Sequence, residues 1–399
     1  MSNGSKLIEV ADLIMGQSPP SETYNEEGVG LPFYQGKSDF GATYPTPRIF
    51  CIEPLRIAEP GDILMSVRAP VGATNLCKER SCIGRGLTAI RPIGIDRYFL
   101  YFNLKHIESY LESLGTGAIF KAINKHQLSQ ATVNEVGFDS QEQQRIAQVL
   151  NTVQEAIAQQ ERLIRTTTEL KQALKQKLFT EGLRGEKLKE TEMGPVPESW
   201  KLIKLEEAGD VIYGIQAAVA GNHKPIGTPI LTNKNITLDG SIVTEKLDYY
   251  ELKSKRDTAT ILRKGDLLFN WRSGSKDHVG KTAYFELDGD WVHSSFILRI
   301  RPRSEVNGRY LFYYLNHLRE IGYFVKLQTY SINAKFNKSA INILPTAIPS
   351  RAEQDQIVAA MDGVQRRIES ALAKKRLLED LFRTLLQELM TGKVRLGVQ

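Results

Sequence analysis

EQQRIAQVLNTVQEAIAQQERLIRTTTELKQALKQKLFTEGLR, residues Glu142 to Arg184, returns as EQDQIVAAMDGVQRRIESALAKKRLLEDLFRTLLQELMTGKVR, residues Glu353 to Arg395. The offset is a constant 211 without a gap. Thirteen of the forty-three pairs are identical, including Glu142/Glu353, Gln143/Gln354, Leu170/Leu381 and, at the far end, Arg184/Arg395. Seam positions recur at steps of four and three: Ile146, Leu150, Val153, Ile157, Gln160, Ile164, Thr167, Lys171, Leu174 and Leu178 in the first copy. In the second they are Ile357, Met361, Val364, Ile368, Ala371, Lys375, Leu378, Phe382, Leu385 and Leu389. This is the heptad pattern of a coiled coil with a polar stretch near its middle. Ser140 and Ser350 stand where N-caps belong, with Gln143 and Glu353 placed for capping boxes, and Gly182 and Gly392 mark the stops.

A helix of this length runs about 60 Å and cannot bury its seam inside one small domain. Two such helices in one chain can bury each other's seam. A coiled-coil spacer within the chain and a homodimer stalk both satisfy the pattern. The large domain between the copies favours an antiparallel pair, although the linker is long enough for either direction.

The region before each helix also repeats its landmarks. Gly61-Asp62-Ile63-Leu64 matches Gly265-Asp266-Leu267-Leu268, with Arg68 and Arg272 following each strand. Val71-Gly72 and Val279-Gly280 come next, then SCIGRGLTAIRP and WVHSSFILRIRP, each ending in Arg-Pro. Aromatic-rich helices begin at Arg97 and Arg309, and Asn124-Lys125 and Asn337-Lys338 lead towards the long helices. The shared positions read as scaffold and the unshared ones as loops, an arrangement suited to reading two different targets. The polar linker GEKLKETEMGPVPESW, residues 185–200, carries Pro195 and Pro197. The expected organisation is a mixed α/β chain: one α/β domain at 1–139, a helix at 140–184, linker and second α/β domain at 185–349, and a helix with its tail at 350–399.

Bulk properties narrow the class. The 399 residues carry a net charge of +6 and a pI of about 9.0. The charge is uneven: residues 1–140 hold 13 Lys+Arg against 15 Asp+Glu, and residues 191–350 hold 21 against 17. Any nucleic-acid face must therefore be a local patch. The N-terminus MSNGSKLIEVADLIMG lacks the apolar core of a signal peptide, and no apolar run reaches membrane-spanning length. Three cysteines, Cys51, Cys77 and Cys82, argue against a disulfide framework and fit a reducing cytoplasm.

At this point the chain resembles the specificity subunits of type I restriction-modification systems. The helix starts SQEQQRIAQVLNTVQEAI and SRAEQDQIVAAMDGVQRRI carry the likeness, with the helix ends KQKLFTEGLRG and LLQELMTGKVRL. The linker GPVPESWKLIKL and the opening MGQSPPSETYNEEGVGLPFYQG add to it. The resemblance implies two target recognition domains, each reading one half of a bipartite site in double-stranded DNA. It also implies an antiparallel helical spacer that docks two methyltransferase subunits, with restriction-translocation subunits able to join. No catalysis is implied in the chain itself. The competing reading is a coiled-coil scaffold with two α/β heads that does not bind DNA.

Apparent catalytic motifs are incomplete. Ser18-Pro19-Pro20-Ser21 lacks the aromatic ring with which amino-methyltransferases stack a flipped base. Glu251-Leu252-Lys253 and Glu169-Leu170-Lys171 have no upstream Pro-Asp for a nuclease centre and read as surface charges. Gly115-Thr116-Gly117 is not a P-loop, and the six histidines show no metal spacing. Neither a cofactor nor a metal is expected. Candidate DNA contacts are loop side chains able to meet phosphates and base edges. In the first domain these are Gln35, Lys37, Arg68, Arg85, Lys121 and Lys125. In the second they are Lys234, Asn235, Arg272, Lys276, Lys281, Lys335 and Lys338. Each has the alternative of a solvated surface group. Tyr34, Tyr44, Tyr330 and Trp271 could meet sugar or base, or pack in the core.

Overall fold

The computed structural model describes residues 4–117, 121–134, 137–216, 226–330 and 337–396. The chain divides into two compact units, Met1–Ile164 with Ser370–Gln399, and Arg165–Glu369. The division falls inside both long helices, Ser140–Thr180 and Arg351–Met390. Each unit therefore holds one α/β region, the start of one long helix and the end of the other.

The α/β regions share a four-stranded antiparallel sheet. In the first unit its order is Ala11–Met15, Leu87–Pro92, Ile63–Ser66, Thr74–Leu76, and in the second Gly209–Tyr213, Ile297–Pro302, Leu267–Asn270, Thr282–Tyr284. The repeated Gly-Asp and Arg-Pro landmarks are two halves of one interaction. Buried Asp62 accepts two hydrogen bonds of 2.8 Å from the Arg91 guanidinium, and buried Asp266 accepts two of 2.7 Å from Arg301. Each carboxylate also takes a backbone N–H, from Glu59 and Arg263 respectively. These donors satisfy the buried carboxylate and fix the turn ahead of the strand. A second sheet pairs Leu31–Tyr34 in parallel with Ser81–Ile83, and its counterpart pairs Thr228–Leu231 in parallel with Val292–His293.

The ends of the long helices explain the most faithful part of the repeat. Gln143 is buried; its amide oxygen accepts from the Asp96 N–H at 3.0 Å and its amide nitrogen donates to the Phe138 carbonyl at 3.2 Å. Gln354 does the same with the Asn307 N–H at 2.7 Å and the Pro349 carbonyl at 3.1 Å. The preceding glutamates meet the arginine that closes the other copy. Arg395 donates to both Glu142 oxygens, at 2.7 and 2.5 Å, and in the second unit Arg184 lies 3.8 Å from Glu353. In each unit the start of one long helix thus lies with the end of the other, which is an antiparallel pairing. The capping boxes expected of Gln143 and Glu353 do not form, because both side chains are committed to these partners. Asp139, not Ser140, caps the first helix through the Glu142 N–H at 2.8 Å, while Ser350 caps the second. Gly182 and Gly392 stop the helices at φ of +67° and +71°, where a side chain would be strained.

The seam is mixed. Ile146, Leu150 and Leu389 are buried in the first unit, whose Phe382 packs on Phe102 with ring centroids 6.0 Å apart. In the second unit, Ile357, Met361 and Leu178 are buried, and Lys171 donates to Gln365 across the helices at 2.6 Å. Lys171 is therefore half-buried and partnered rather than a surface charge.

The Gln354 bonds predict a measurable cost. Replacing Gln354 with Leu leaves the Asn307 N–H and Pro349 carbonyl unpaired, a loss of roughly 1–3 kcal/mol. Trp200, Trp271 and Trp291 all lie in the second unit, so tryptophan fluorescence during urea unfolding reports it. The transition is expected at lower urea for Gln354→Leu. An unmoved transition would show that these bonds do not tie the helix to its domain.

Candidate nucleic-acid interface

Strand direction collects the loops of each unit along one edge. In the first unit, Ala11–Met15 and Ile63–Ser66 end where Leu87–Pro92 begins, and Leu31–Tyr34 and Ser81–Ile83 end beside them. Backbone bonds join the loops: Gly16 N–H to the Leu87 carbonyl at 2.9 Å, Gln17 to Ile83 at 3.0 Å, Gly84 to Tyr34 at 2.8 Å and Val67 to Gly86 at 2.9 Å. The segment carrying Lys121 is tied in by Ala69 N–H to the Lys121 carbonyl at 3.0 Å and Ile123 N–H to Val67 at 3.0 Å. Gln35, Arg68, Arg85 and Lys121 are brought together here, all exposed, on segments held by the sheet. Lys37 follows on the short turn Lys37–Asp39, where the Asp39 carboxylate accepts the Gln35 N–H at 2.7 Å. Lys125 opens the helix Lys125–Ser129, which Asn124 caps. The Ser18-Pro19-Pro20-Ser21 stretch is a turn whose Ser18 hydroxyl accepts the Arg85 N–H at 3.2 Å.

The second unit builds the same edge with different side chains. The last paired residues are Ser66 opposite Leu87 and Asn270 opposite Ile297, so Arg68 and Arg272 occupy equivalent places two residues beyond. Both are exposed. Tyr34 pairs with Ile83 and Leu231 with His293, which makes Lys37 and Lys234 equivalent, each exposed on its short turn. Lys276 is exposed on the turn Lys276–His278. Lys338 is half-buried at the head of Lys338–Asn342, its N–H donating to the Tyr213 hydroxyl at 3.0 Å.

Two expected contacts face inward instead. Lys281 is 4% exposed, and its ammonium donates to the Asn233 and Ile236 carbonyls at 2.6 Å each. Burial lowers its pKa, with the Arg319 charge adding to the effect. Asn235 is also 4% exposed; it accepts the Thr232 N–H at 3.0 Å and donates to the Val243 and Lys246 carbonyls. Both hold the loop that presents Lys234, which removes them from the candidate contacts. Residue type alone could not separate them from their exposed neighbours. Lys335 lies outside the described residues, as does the Tyr330 side chain. Tyr34 is buried, Tyr44 is exposed, and Trp271 is half-buried with its indole N–H on the Ser295 carbonyl at 2.8 Å.

Residue-type reasoning missed two features of the second edge. Phe296 is 43% exposed, with the Arg272 guanidinium 5.7 Å from its ring centroid. In the same unit, a cavity of about 430 Å3 is lined by Tyr213, Gln216, Tyr250, Arg256, Thr260 and Lys338. The aligned strands hold the signal for Phe296, since it stands where the first domain has Gly86. The three cysteines are buried and free, and burial pushes the Cys77 thiol up to about 11 and Cys82 to about 12. Among the described residues, no group of three or more His, Cys, Asp or Glu could hold a metal ion. No helix among them is long and apolar enough to cross a membrane.

A family description, type I restriction modification DNA specificity domain, matches the chain at residues 3–169 and again at 197–379. The chain belongs to that family. Among its relatives in Methanocaldococcus jannaschii, a specificity subunit named for the type I restriction enzyme MjaX is 44% identical over 147 residues. That match covers 36% of this chain and 34% of the relative, so the chain spans about a third of that protein's length. The MjaVIII specificity subunit of the same organism is 23% identical over 75% of this chain and 71% of its own. The crystal structure of a type I restriction-modification S subunit from M. genitalium shares the fold. Its TM-score is 0.64 at 15% identity, with 97% of this chain and 95% of that one covered.

The buried His293 at this edge makes a pH prediction. Its Nδ1–H donates to the Ile297 carbonyl at 3.1 Å, and burial pushes the imidazole down from 6.5 to about 4. The folded state therefore favours the neutral ring. The stability this represents is complete above pH 6.5 and is lost as pH falls towards 4, because the unfolded chain takes up the proton first. By pH 5 the loss is about 2 kcal/mol. Urea unfolding of wild type and His293→Gln should show their stability difference narrowing by this amount between pH 8 and pH 5. A constant difference would contradict a buried neutral histidine.

Proposed function

We propose that this chain is the non-catalytic DNA-recognition subunit of a type I restriction-modification complex acting in the cytoplasm. Each unit reads one half of a bipartite site in double-stranded DNA through the loops at its strand ends. The observation that carries the reading is the doubling itself. One scaffold is built twice, in a chain matched twice by a DNA specificity family, while the cationic loops on the common edge differ. Shared Asp–Arg pairs keep the scaffold; loop side chains set what is read. Exposed Arg68, Arg85, Lys121, Lys234 and Lys276 supply phosphate and base contacts.

In the same reading the long helices dock two methyltransferase subunits, and restriction-translocation subunits join that complex. Leu170 and Leu381 support this. They are an identical pair in the repeat, exposed by 56% and 45%, and thus offer two quasi-equivalent apolar positions. Co-purification is expected to saturate at two methyltransferases per chain, and gel shift with that assembly should show sequence-selective duplex binding. A chain that assembles but binds no duplex selectively would be a scaffold instead.

The helix pair also fixes the gap between the half-sites. Inserting one heptad in each helix, near Thr167 and Leu378, keeps the seam register and lengthens each helix by about 10 Å. That corresponds to at most about three base pairs. Genome-wide methylation mapping should show a longer non-specific gap with both half-site sequences unchanged. An unchanged gap in a fully active variant would leave the helices as docking surfaces alone.

A further inference from the structure

We propose that Arg272, held over the ring of Phe296, reads a guanine in the half-site of the second unit, with Phe296 as the residue that positions it. The assignment rests on the DNA-recognition reading above and names one specificity determinant within it.

Register supplies the first argument. Arg68 and Arg272 stand at equivalent points of the two sheets, yet the residue ahead of the neighbouring strand differs. It is Gly86 in the first unit and Phe296 in the second. Gly86 leaves no room for a side chain, since a Cβ there would come within 2.1 Å of the Gln35 carbonyl oxygen. Arg68 therefore has no ring beneath it from this position, whereas Arg272 does.

Exposure supplies the second. Phe296 is the only phenylalanine classed as exposed among the described residues, and the Arg272 guanidinium stands 5.7 Å from its ring centroid. Arg272 has no carboxylate within ion-pair range among the described residues. The backbone beneath is held by the Trp271 indole N–H on the Ser295 carbonyl, and by Trp271 packing edge-on against Tyr213 at 5.6 Å. Attraction to the ring limits the guanidinium to fewer orientations before any partner arrives.

Chemistry chooses the partner. A guanidinium presents paired N–H donors in one plane, matching O6 and N7 of guanine in a bidentate contact. Neighbouring Lys276 carries a point charge without this geometry and suits a phosphate. A phosphate contact would also leave the exposed Phe296 ring unused, whereas a base edge brings apolar surface against it.

Methylation-site mapping and competition binding with the methyltransferase-loaded complex test the assignment. The probe is a duplex library randomised across both half-sites. Arg272→Ala should relax one guanine position, cutting discrimination there by roughly 5- to 150-fold while the other half-site stays intact. Arg272→Lys should relax the same position, because charge without the planar fork is insufficient. Phe296→Leu should weaken selection at that position, and Phe296→Tyr, which keeps the ring, should restore it; a purely structural role would not follow the ring. Thermal melts confirm that each variant is folded. Uniformly weaker binding with a salt slope reduced by about one would make Arg272 a phosphate contact and overturn the proposal. An unchanged motif, or relaxation at a position that is not G·C, would overturn it as well while leaving the DNA-recognition reading standing. A wild-type complex with no sequence preference would overturn both.

Discussion

A buried glutamate opens each long helix, and its placement constrains everything built on those helices. Glu142 and Glu353 are 4% and 2% exposed. A carboxylate so deeply placed is tolerable only when donors surround it. In the first unit they are the Arg395 guanidinium and the Leu396 N–H, and the hydrogen bonds from Arg395 hold the Glu142 carboxyl below the usual range. In the second they are the Leu183 N–H and the Trp200 indole at 3.3 Å, with the Arg184 guanidinium as an ion-pair partner at 3.8 Å. All of these partners except Trp200 lie at or just past the end of the other helical copy. Parallel helices would put the starts together and leave both carboxylates without them.

The adjacent glutamine carries the order into each α/β region. Gln143 and Gln354 bind the backbone at the head of an aromatic-rich helix, Arg97–His106 in one unit and Gly308–Glu320 in the other. The Glu-Gln dipeptide therefore couples the helix pair to the scaffold twice over. The scaffold is in turn set by Asp62–Arg91 and Asp266–Arg301, which hold the turn before the strand that leads to Arg68 or Arg272. One set of polar contacts ties the helix ends to the scaffold and another fixes the turn behind the loop edge. Together they leave the loops free to change without disturbing what presents them.

The candidate interface was only partly legible beforehand. Arg68 and Arg272 stand out because the repeat places each after its Gly-Asp strand, whereas the equivalence of Lys37 and Lys234 emerges only from strand register. Lys281 and Asn235 carry the same chemistry and sit in the same kind of segment, yet both turn inward to satisfy loop carbonyls. Their fate depends on backbone groups up to 48 residues away, as in the bond from Lys281 to Asn233. Phe296 was overlooked for the opposite reason: a phenylalanine beside a core strand suggests burial, and only the neighbouring backbone decides that it lies open under Arg272.

By itself the sequence determined the doubling, the two long helices and the pairing of landmarks, because constant offset and heptad spacing are properties of the chain alone. It favoured an antiparallel pair only through the large domain between the copies; the contacts of Glu142 with Arg395 and of Glu353 with Arg184 are what set the direction. Tertiary structure decided which polar residues became internal. Gln143 and Glu353, expected as caps, were taken by partners on other elements, Lys171 found Gln365, and Lys281 was drawn inside. Burial makes an unmet donor or acceptor costly, so a polar side chain goes wherever an orphaned backbone group or carboxylate needs it. That need exists only once distant segments have been packed together.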